Sequence, residues 1–368
     1  MIKGRATAAG TASYAERFKQ LPDHFRNLVG WRASSIGIGT YLGDADERTD
    51  RLYQEAITSA IGSGINLIDS AIVYRLMRSE RSIAQAIGDL IAANKLKREE
   101  LIVATKGGYL AFDAVPPKNP REWFKREYLD TGIIGPGELI DDSNCIAPRY
   151  IEAMVNRSRA NLDLETIDIY YLHNPESQLS GVSRAEFIRR IQAAFEVLEK
   201  GVADGRLGVY GCATWDGLRS DPQHAGYLSL RELVEAARAV GGEQNHFKVI
   251  QLPFSLAMAE AWTHSNQSIG DRAQGSILEA ARHYGIAVCA SASIMQGRLA
   301  RRLPPVVADA LSGLETDAQR SIQFTRSTPG VDVALVGMKS RAHVLENIAT
   351  AKIAPAGQAS LSKLFEPQ

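Results

Sequence analysis

The stretch Leu52-Tyr-Gln-Glu-Ala-Ile-Thr-Ser-Ala-Ile-Gly-Ser-Gly-Ile-Asn-Leu-Ile-Asp69 holds both halves of the unit from which the rest of the chain is built. Apolar residues recur every four positions, at Leu52/Tyr53, Ala56/Ile57 and Ala60/Ile61, which lines one face of an α-helix. Gly62 and Gly64 stop that helix, and the apolar run Ile65–Asp69 follows as a short strand. The same alternation extends in both directions. Strands are predicted at Ile36–Tyr41, Ile65–Asp69, Leu101–Lys106, Ile167–His173, Leu207–Cys212, Lys248–Leu252, Ile286–Ala290 and Val333–Gly337. Most are apolar on both faces, as buried parallel strands are. Helical spacing returns at Ile83/Ile87/Ile91, through Phe187–Leu198, and at Val344/Ile348. Eight strand–helix units in one series predict an α/β fold, a closed (β/α)8 TIM barrel, with a doubly wound sheet as the alternative. In such a barrel the chemistry belongs at the C-terminal ends of the strands.

Two stretches depart from the rhythm. Residues 1–33 form an N-terminal extension expected to be partly flexible over its first twenty residues, with a hairpin around Leu28–Arg32 plugging the barrel bottom. Residues 34–368 form a single barrel domain, interrupted by a long loop insertion at 107–148 after the third strand. That insertion carries Pro116-Pro117, Gly135-Pro136-Gly137 and the aromatics Tyr109, Phe112, Trp123, Phe124 and Tyr128. Loops of this length are more often functional than ornamental.

Forty-two basic residues balance forty-two acidic ones in a chain of 368, so no global field draws it to nucleic acid or a membrane, and the expected partner is a small molecule. Cys145, Cys212 and Cys289 are too few and too scattered for a disulfide framework or a zinc site. No apolar run approaches the roughly 20 residues of a membrane span, and residues 1–20 lack the apolar core of a signal peptide; the expectation is a cytoplasmic protein. Gly37-Ile-Gly39-Thr-Tyr-Leu-Gly43 imitates a dinucleotide fingerprint. Its third glycine is one residue late, and Asp44-Ala-Asp46-Glu47 would set carboxylates against a pyrophosphate.

The polar residues at the strand ends carry the functional reading. The second strand ends in Asp69 with Tyr74 a short turn beyond, the third in Lys106, the fourth in His173. Three ionisable groups converging on one barrel mouth would be costly unless paired. An Asp69–Lys106 pair beside Tyr74 is expected to lower the phenol's pKa and make it a general acid or base, while a neutral His173 orients a substrate oxygen. Arg75, directly after Tyr74, is expected to put a cation at the substrate mouth. Asn174, Glu176 and Gln178 hint at a hydroxylated substrate, and Trp31, Trp123, Trp215 and Trp262 supply candidates for its wall.

Asp69-Ser-Ala-x-x-Tyr74 with Ser79-Glu80, followed by Lys106 and His173 at the ends of the next two strands, resembles the aldo-keto reductase signature. The resemblance runs from about Ser34 to Ala351. It implies the (β/α)8 barrel, an NADP(H) cofactor bound without a Rossmann motif, and a catalytic tetrad of Asp69, Tyr74, Lys106 and His173. It also implies cofactor contacts at Gly39, Thr40, Tyr41, Asp69, Gln251, Gln296, Gly297 and Leu299. Near the C-terminus, Gly337-Met338-Lys339 with Arg341 reads as a strand tip, a basic turn and a helix N-terminus. There the resemblance places the 2′-phosphate on Lys339 and Arg341, and the adenine on Glu346 and Asn347. Three positions depart from the family pattern: Thr214 stands for a carboxamide-binding Asn, Ser291 for an aromatic that stacks on nicotinamide, and His343 for an Arg that clamps the 2′-phosphate. These departures leave NAD(H) open as well.

The activity this implies is NADP(H)-dependent transfer of a hydride between nicotinamide and a carbonyl or alcohol substrate, with Tyr74 as proton donor or acceptor. An NAD(P)+-dependent sugar or alcohol dehydrogenase on the same site is the alternative, and a nucleotide-sensing regulatory subunit is an alternative of another class. Substrate identity rests with the loops, here residues 107–148, 216–228 and the segment beyond Ala351.

Overall fold

Helix α1 (Ala8–Glu16) and a hairpin of β1 (Phe25–Leu28) and β2 (Trp31–Ser34) precede β3 (Ile36–Gly39) in the computed structural model, which describes residues 1–271 and 273–365. Next come β4 (Leu67–Asp69), β5 (Ile102–Gly107), β6 (Ile167–His173), β7 (Leu207–Ala213) and β8 (Phe247–Pro253). A short pair, β9 (Gln267–Ile269) and β10 (Ala273–Gly275), leads to β11 (Ala287–Ser291) and β12 (Val333–Gly337). The helices that follow α1 are α2 (Glu47–Gly62), α3 (Arg78–Ala92), α4 (Pro120–Phe124), α5 (Pro148–Leu162), α6 (Arg184–Ala203) and α7 (Leu230–Gly241). After these come α8 (Glu260–Thr263), α9 (Ile277–Tyr284), α10 (Pro305–Ala310), α11 (Asp317–Ser327), α12 (Arg341–Ile348) and α13 (Gln358–Ser362).

Eight parallel strands close into a barrel in the order β3-β4-β5-β6-β7-β8-β11-β12, with β12 pairing back onto β3. The predicted fold is borne out, and each predicted strand overlaps a barrel strand with its ends shifted by at most two residues. The helices form where the apolar spacing placed them. In α2 the buried positions are Tyr53, Ala56, Ile57, Ala60 and Ile61, and the Asp46 side chain caps the first turn by accepting from the Thr49 N–H. Asp46 thus belongs to a helix cap, not to a dinucleotide fingerprint. The residues 366–368 that end the expected barrel domain lie outside the described residues.

Alternation along the strands makes two cores. Outward residues such as Ile68, Val103 and Tyr170 pack against the helices. Inward residues Leu67, Ile102, Ala104, Ile169, Tyr171, Val209, Val249, Cys289, Val333 and Leu335 fill the barrel. Ala6, Leu28, Trp31 and Ala33 belong to this inner cluster and close its floor. The hairpin turns at Val29 and Gly30, both at positive φ, a left-handed pair that matches the twist of two-residue hairpins.

The N-terminal segment, expected to be partly flexible, forms α1 and packs against the barrel. Ala6 donates its N–H to Asp168 (2.7 Å), and the wholly buried Tyr14 donates its hydroxyl to the Ile61 carbonyl (2.6 Å). Mixed composition concealed this, because the anchors are a backbone N–H and one aromatic, neither of which makes a periodic pattern. Trp31 sits in the floor, at the far end from the strand tips, and is no substrate wall.

Candidate active site

The inward parity that packs the barrel also aims its top layer. Asp69 continues Leu67, Lys106 continues Ile102 and Ala104, His173 continues Ile169 and Tyr171, and Gln251 continues Val249. The same layer holds the small residues Ser291, Gly337 and Gly39 on the neighbouring strands β11, β12 and β3, and Ala213 between His173 and Gln251. Register sets Gly337 beside Gly39, Gly39 beside Asp69, and Ala213 beside both His173 and Gln251.

Lys106 is the hub. Its ammonium donates to Asp69 Oδ2 (2.7 Å), to the Ser70 carbonyl (2.6 Å) and to the Tyr74 hydroxyl (3.4 Å). Gln251 donates to the other Asp69 oxygen at 2.7 Å, so both oxygens of that carboxylate are engaged. Tyr74 and His173 face each other edge to face with ring centroids 6.0 Å apart, and Tyr41 packs on Tyr74 at 5.0 Å. The predicted tetrad is therefore one contiguous cluster. Behind it, the buried Glu80 accepts from Thr105 and Asn161, and Ser79 donates to the Thr40 carbonyl, fixing α3 against the strands that carry the site.

Electrostatics correct one expectation. Burial pushes the Tyr74 phenol above its ordinary value; Lys106 pulls it down and Asp69 pushes it up, and burial prevails. Burial also pulls on the Lys106 ammonium, yet Asp69 and Tyr74 more than offset this and it is held above the usual lysine range. His173, buried and facing Lys106, is driven down to about 3 and is neutral, as expected.

The predicted cofactor residues divide in two. Thr214 has a buried hydroxyl oxygen with no partner, and its N–H donates to the Gln251 carbonyl, so the two sit together. Gln296 and Gly297 take positive φ and stand exposed on the loop after β11, with Leu299 half-buried behind them. Tyr41 is exposed at the rim. Lys339, Arg341 and His343 are exposed around the start of α12, where the Ser340 hydroxyl accepts from the His343 N–H; Glu346 is half-buried and Asn347 buried on the same helix. In contrast, Met338 is wholly buried. Thr40 turns its hydroxyl inward to Ser70 (3.0 Å) and the Asp69 carbonyl (3.2 Å).

Two further expectations are corrected. Arg75 points away from the mouth toward Asp50 on α2 (2.6 Å). Glu176 accepts from the N–H of Trp215, Gln178 donates to Asn144 and Asn174 donates to Tyr109, so the three polar residues after His173 are engaged in holding the rim loops. Sequence reasoning gave Tyr109 no role. Its ring packs edge-on against His173 at 5.1 Å, and its hydroxyl accepts from Asn174 and pairs with Ser177. The signal was Gly107-Gly108 directly after Lys106. Gly108 has φ +151°, and a Cβ there would lie 2.8 Å from the His173 carbonyl oxygen, so glycine lets the insertion start flush against that strand.

The turn that carries Tyr74 is strained. Arg75, Leu76 and Met77 take φ of 50°, 56° and 66° in succession, a left-handed conformation costing roughly 1–2 kcal/mol per residue.

The eight-stranded parallel barrel carries a buried Lys–Asp pair, a phenol and a neutral imidazole at its C-terminal mouth, where enzymes of this architecture place their chemistry. The sequence model of the Aldo/keto reductase family matches residues 35–305, and the chain belongs to that family. Aldo-keto reductase YhdN of Bacillus subtilis is 28% identical over 182 residues, which is 48% of this chain and 45% of that protein, so the match spans less than half of the relative. A Klebsiella pneumoniae aldo/keto reductase solved with NADP and acetate superposes with a TM-score of 0.62 at 18% identity, covering 93% of this chain and 94% of that one. A Bacillus halodurans aldo-keto reductase in its holo form gives 0.62 at 17% identity, covering 93% and 95%. At these identities the likeness is one of fold. Among the described residues no helix is long and apolar enough to cross a membrane, and no group of acidic, His or Cys side chains is placed to hold a metal ion.

Proposed function

We propose that the protein is an NADPH-dependent carbonyl reductase, working in the cytoplasm on a small-molecule aldehyde or ketone, with Asp69, Tyr74, Lys106 and His173 as its catalytic residues. The observation that carries this reading is the Lys106 ammonium standing between the Asp69 carboxylate and the Tyr74 hydroxyl at the barrel mouth. The small arc of the mouth (Ser291, Gly337, Gly39) leaves room for a planar ring, and the unpartnered Thr214 hydroxyl beside Gln251 suits a carboxamide. The basic turn at Lys339 and Arg341, ahead of α12, suits a phosphate. NADPH bound there would supply the hydride.

The chain's own residues do the rest. His173, uncharged, offers a neutral N–H to a carbonyl oxygen and orients it without adding a second positive charge beside Lys106. Tyr74, protonated at neutral pH as an ordinary phenol is and held so further into the alkaline range by burial, gives its proton to that oxygen. The phenolate left behind is stabilised by the Lys106 ammonium, and Asp69 keeps that ammonium charged and in place. Alcohol oxidation is the same path reversed.

Fluorescence titration with NADPH and NADH, on wild type and Tyr74→Phe, followed by a panel of small aldehydes, tests the reading. NADPH binding to both proteins with turnover by wild type alone supports it; absence of binding to either nucleotide overturns it.

A further inference from the structure

We propose that Arg75 is a positioning residue that clamps the turn carrying Tyr74 to the loop carrying Tyr41, and so sets where the Tyr74 hydroxyl stands. This rests on the reading of Tyr74 as proton donor. The backbone calls for such a clamp. Three consecutive side-chain-bearing residues, Arg75, Leu76 and Met77, hold left-handed conformations, which persist only where the surroundings over-determine them. The Arg75 side chain, 1% exposed, ties this turn to the segment after β3. Its Nε donates to the Asp44 carbonyl (2.9 Å), and its Nη2 donates to the Asp46 carbonyl (3.3 Å) and Asp50 Oδ1 (2.6 Å). Its guanidinium carbon lies 5.2 Å from the centre of the Tyr53 ring, whose hydroxyl donates to the Leu42 carbonyl (2.6 Å).

Every partner lies between Leu42 and Tyr53, directly after Tyr41, whose ring packs on Tyr74. Arg78 takes the second Asp50 oxygen (Nη2, 2.5 Å), so a single carboxylate holds both ends of the left-handed turn. A planar donor fork suits this work, because it grips carbonyls and a carboxylate in fixed directions. A buried guanidinium is costly unless its charge is met, and Asp50 meets it. Arg75 is thus a side chain pointing away from the reacting atoms that nonetheless fixes one of them.

Arg75→Gly is the informative variant: glycine keeps the positive φ without strain and removes the clamp, and rescue by guanidinium separates the lost clamp from glycine's added backbone freedom. The expected result is a folded protein whose kcat falls by about tenfold or more while KM for the carbonyl shifts less than about twofold, as misplacement of a reacting group dictates. Hydrogen exchange should rise in residues 40–46 and 72–79 together, and millimolar guanidinium ion should restore most of kcat and of the protection. Asp50→Asn should lower kcat and exchange protection in the same way but without guanidinium rescue, since Arg75 is still in place, and its effect should not add to that of Arg75→Gly. Unchanged kcat and exchange overturn the proposal, as does a loss that follows the melting temperature and is not rescued by guanidinium. If Arg75→Gly does not fold, Asp50→Asn decides by kcat and exchange alone: both lowered without a matching fall in melting temperature supports the clamp, and both unchanged overturns it. Should wild type reduce no carbonyl at all, the reductase reading fails, and the exchange measurement alone judges the clamp: loops loosened and retightened by guanidinium support it, unchanged loops sink it.

Discussion

Lys106 and Asp69 stand 2.7 Å apart with side-chain exposures of 1% and 8%, an ion pair almost wholly withdrawn from water. Removing one partner strands the other charge in the interior, at a cost of about 3–5 kcal/mol. Lys106→Met and Asp69→Asn are therefore each expected to lower stability in denaturant melts, and the double variant to lose clearly less than the sum. Strict additivity would show that the two charges do not depend on one another.

The raised Tyr74 pKa gives the two reaction directions opposite pH behaviour. Reduction uses the protonated phenol, which is the resting form below its pKa, so its kcat should stay level from neutral pH into the alkaline range and then fall. Oxidation needs the phenolate and should rise over the same range. His173, neutral down to about pH 3, should leave no break near pH 6.5 in either profile. A reduction rate that falls through pH 6–7 would contradict the assignment of both groups.

Acid should destabilise the fold earlier than its carboxylates alone dictate. His24, buried and bonded to Ser35 and the Gly64 carbonyl, and His173 are both held at about 3 by burial, against about 6.5 in the unfolded chain. Below pH 6.5 the unfolded state binds protons that the folded state refuses. The stability these two histidines confer is thus present above pH 6.5 and lost as pH falls toward 3, by up to about 1.4 kcal/mol per pH unit for each. Glu80 and Glu176, raised by burial, act in the opposite sense. Comparison of variants therefore isolates the histidine effect: His24→Gln should melt with a visibly shallower decline between pH 7 and 5, and an identical slope would refute it.

Lys339→Ala and Arg341→Ala bear on nucleotide choice. Both side chains are exposed at the start of α12, so each is expected to weaken NADPH binding by about 5- to 50-fold and leave NADH nearly unchanged, the loss of a charge-assisted contact made only to the extra phosphate. Equal weakening of both nucleotides would move the phosphate contact elsewhere.

Much of this was legible in advance because strand periodicity fixes direction. Once Leu67, Ile102 and Ile169 point inward, Asp69, Lys106 and His173 must also point inward two or four residues later, and parallel closure brings them to one rim. What escaped depends on where a long side chain goes after its backbone turns. Arg75 reads in sequence as a cation beside Tyr74, yet a left-handed turn sends it to Asp50. Tyr109 reads as one aromatic among several in an insertion, and only the close approach at Gly108 lays it on His173. The sign of the Tyr74 shift escaped for a related reason: the pairing was visible in the sequence, whereas the depth of burial that outweighs it was not.

The floor of the barrel has a consequence for the order of assembly. Asp168 on β6 accepts from the Ala6 N–H, from Arg98 and from the Val103 N–H, so three separate stretches of chain meet on one carboxylate. Ala6 is translated 162 residues before that carboxylate exists. Through all that synthesis the backbone of Ile2–Ala6 lacks its hydrogen-bond partners at Asp163, Glu165 and Asp168, and these contacts are among the least local in the molecule, the kind that form late and slowly. A growing chain that stalls before β6 therefore carries an open barrel bottom, with Leu28 and Trp31 of the hairpin in want of the inner cluster they are meant to cover.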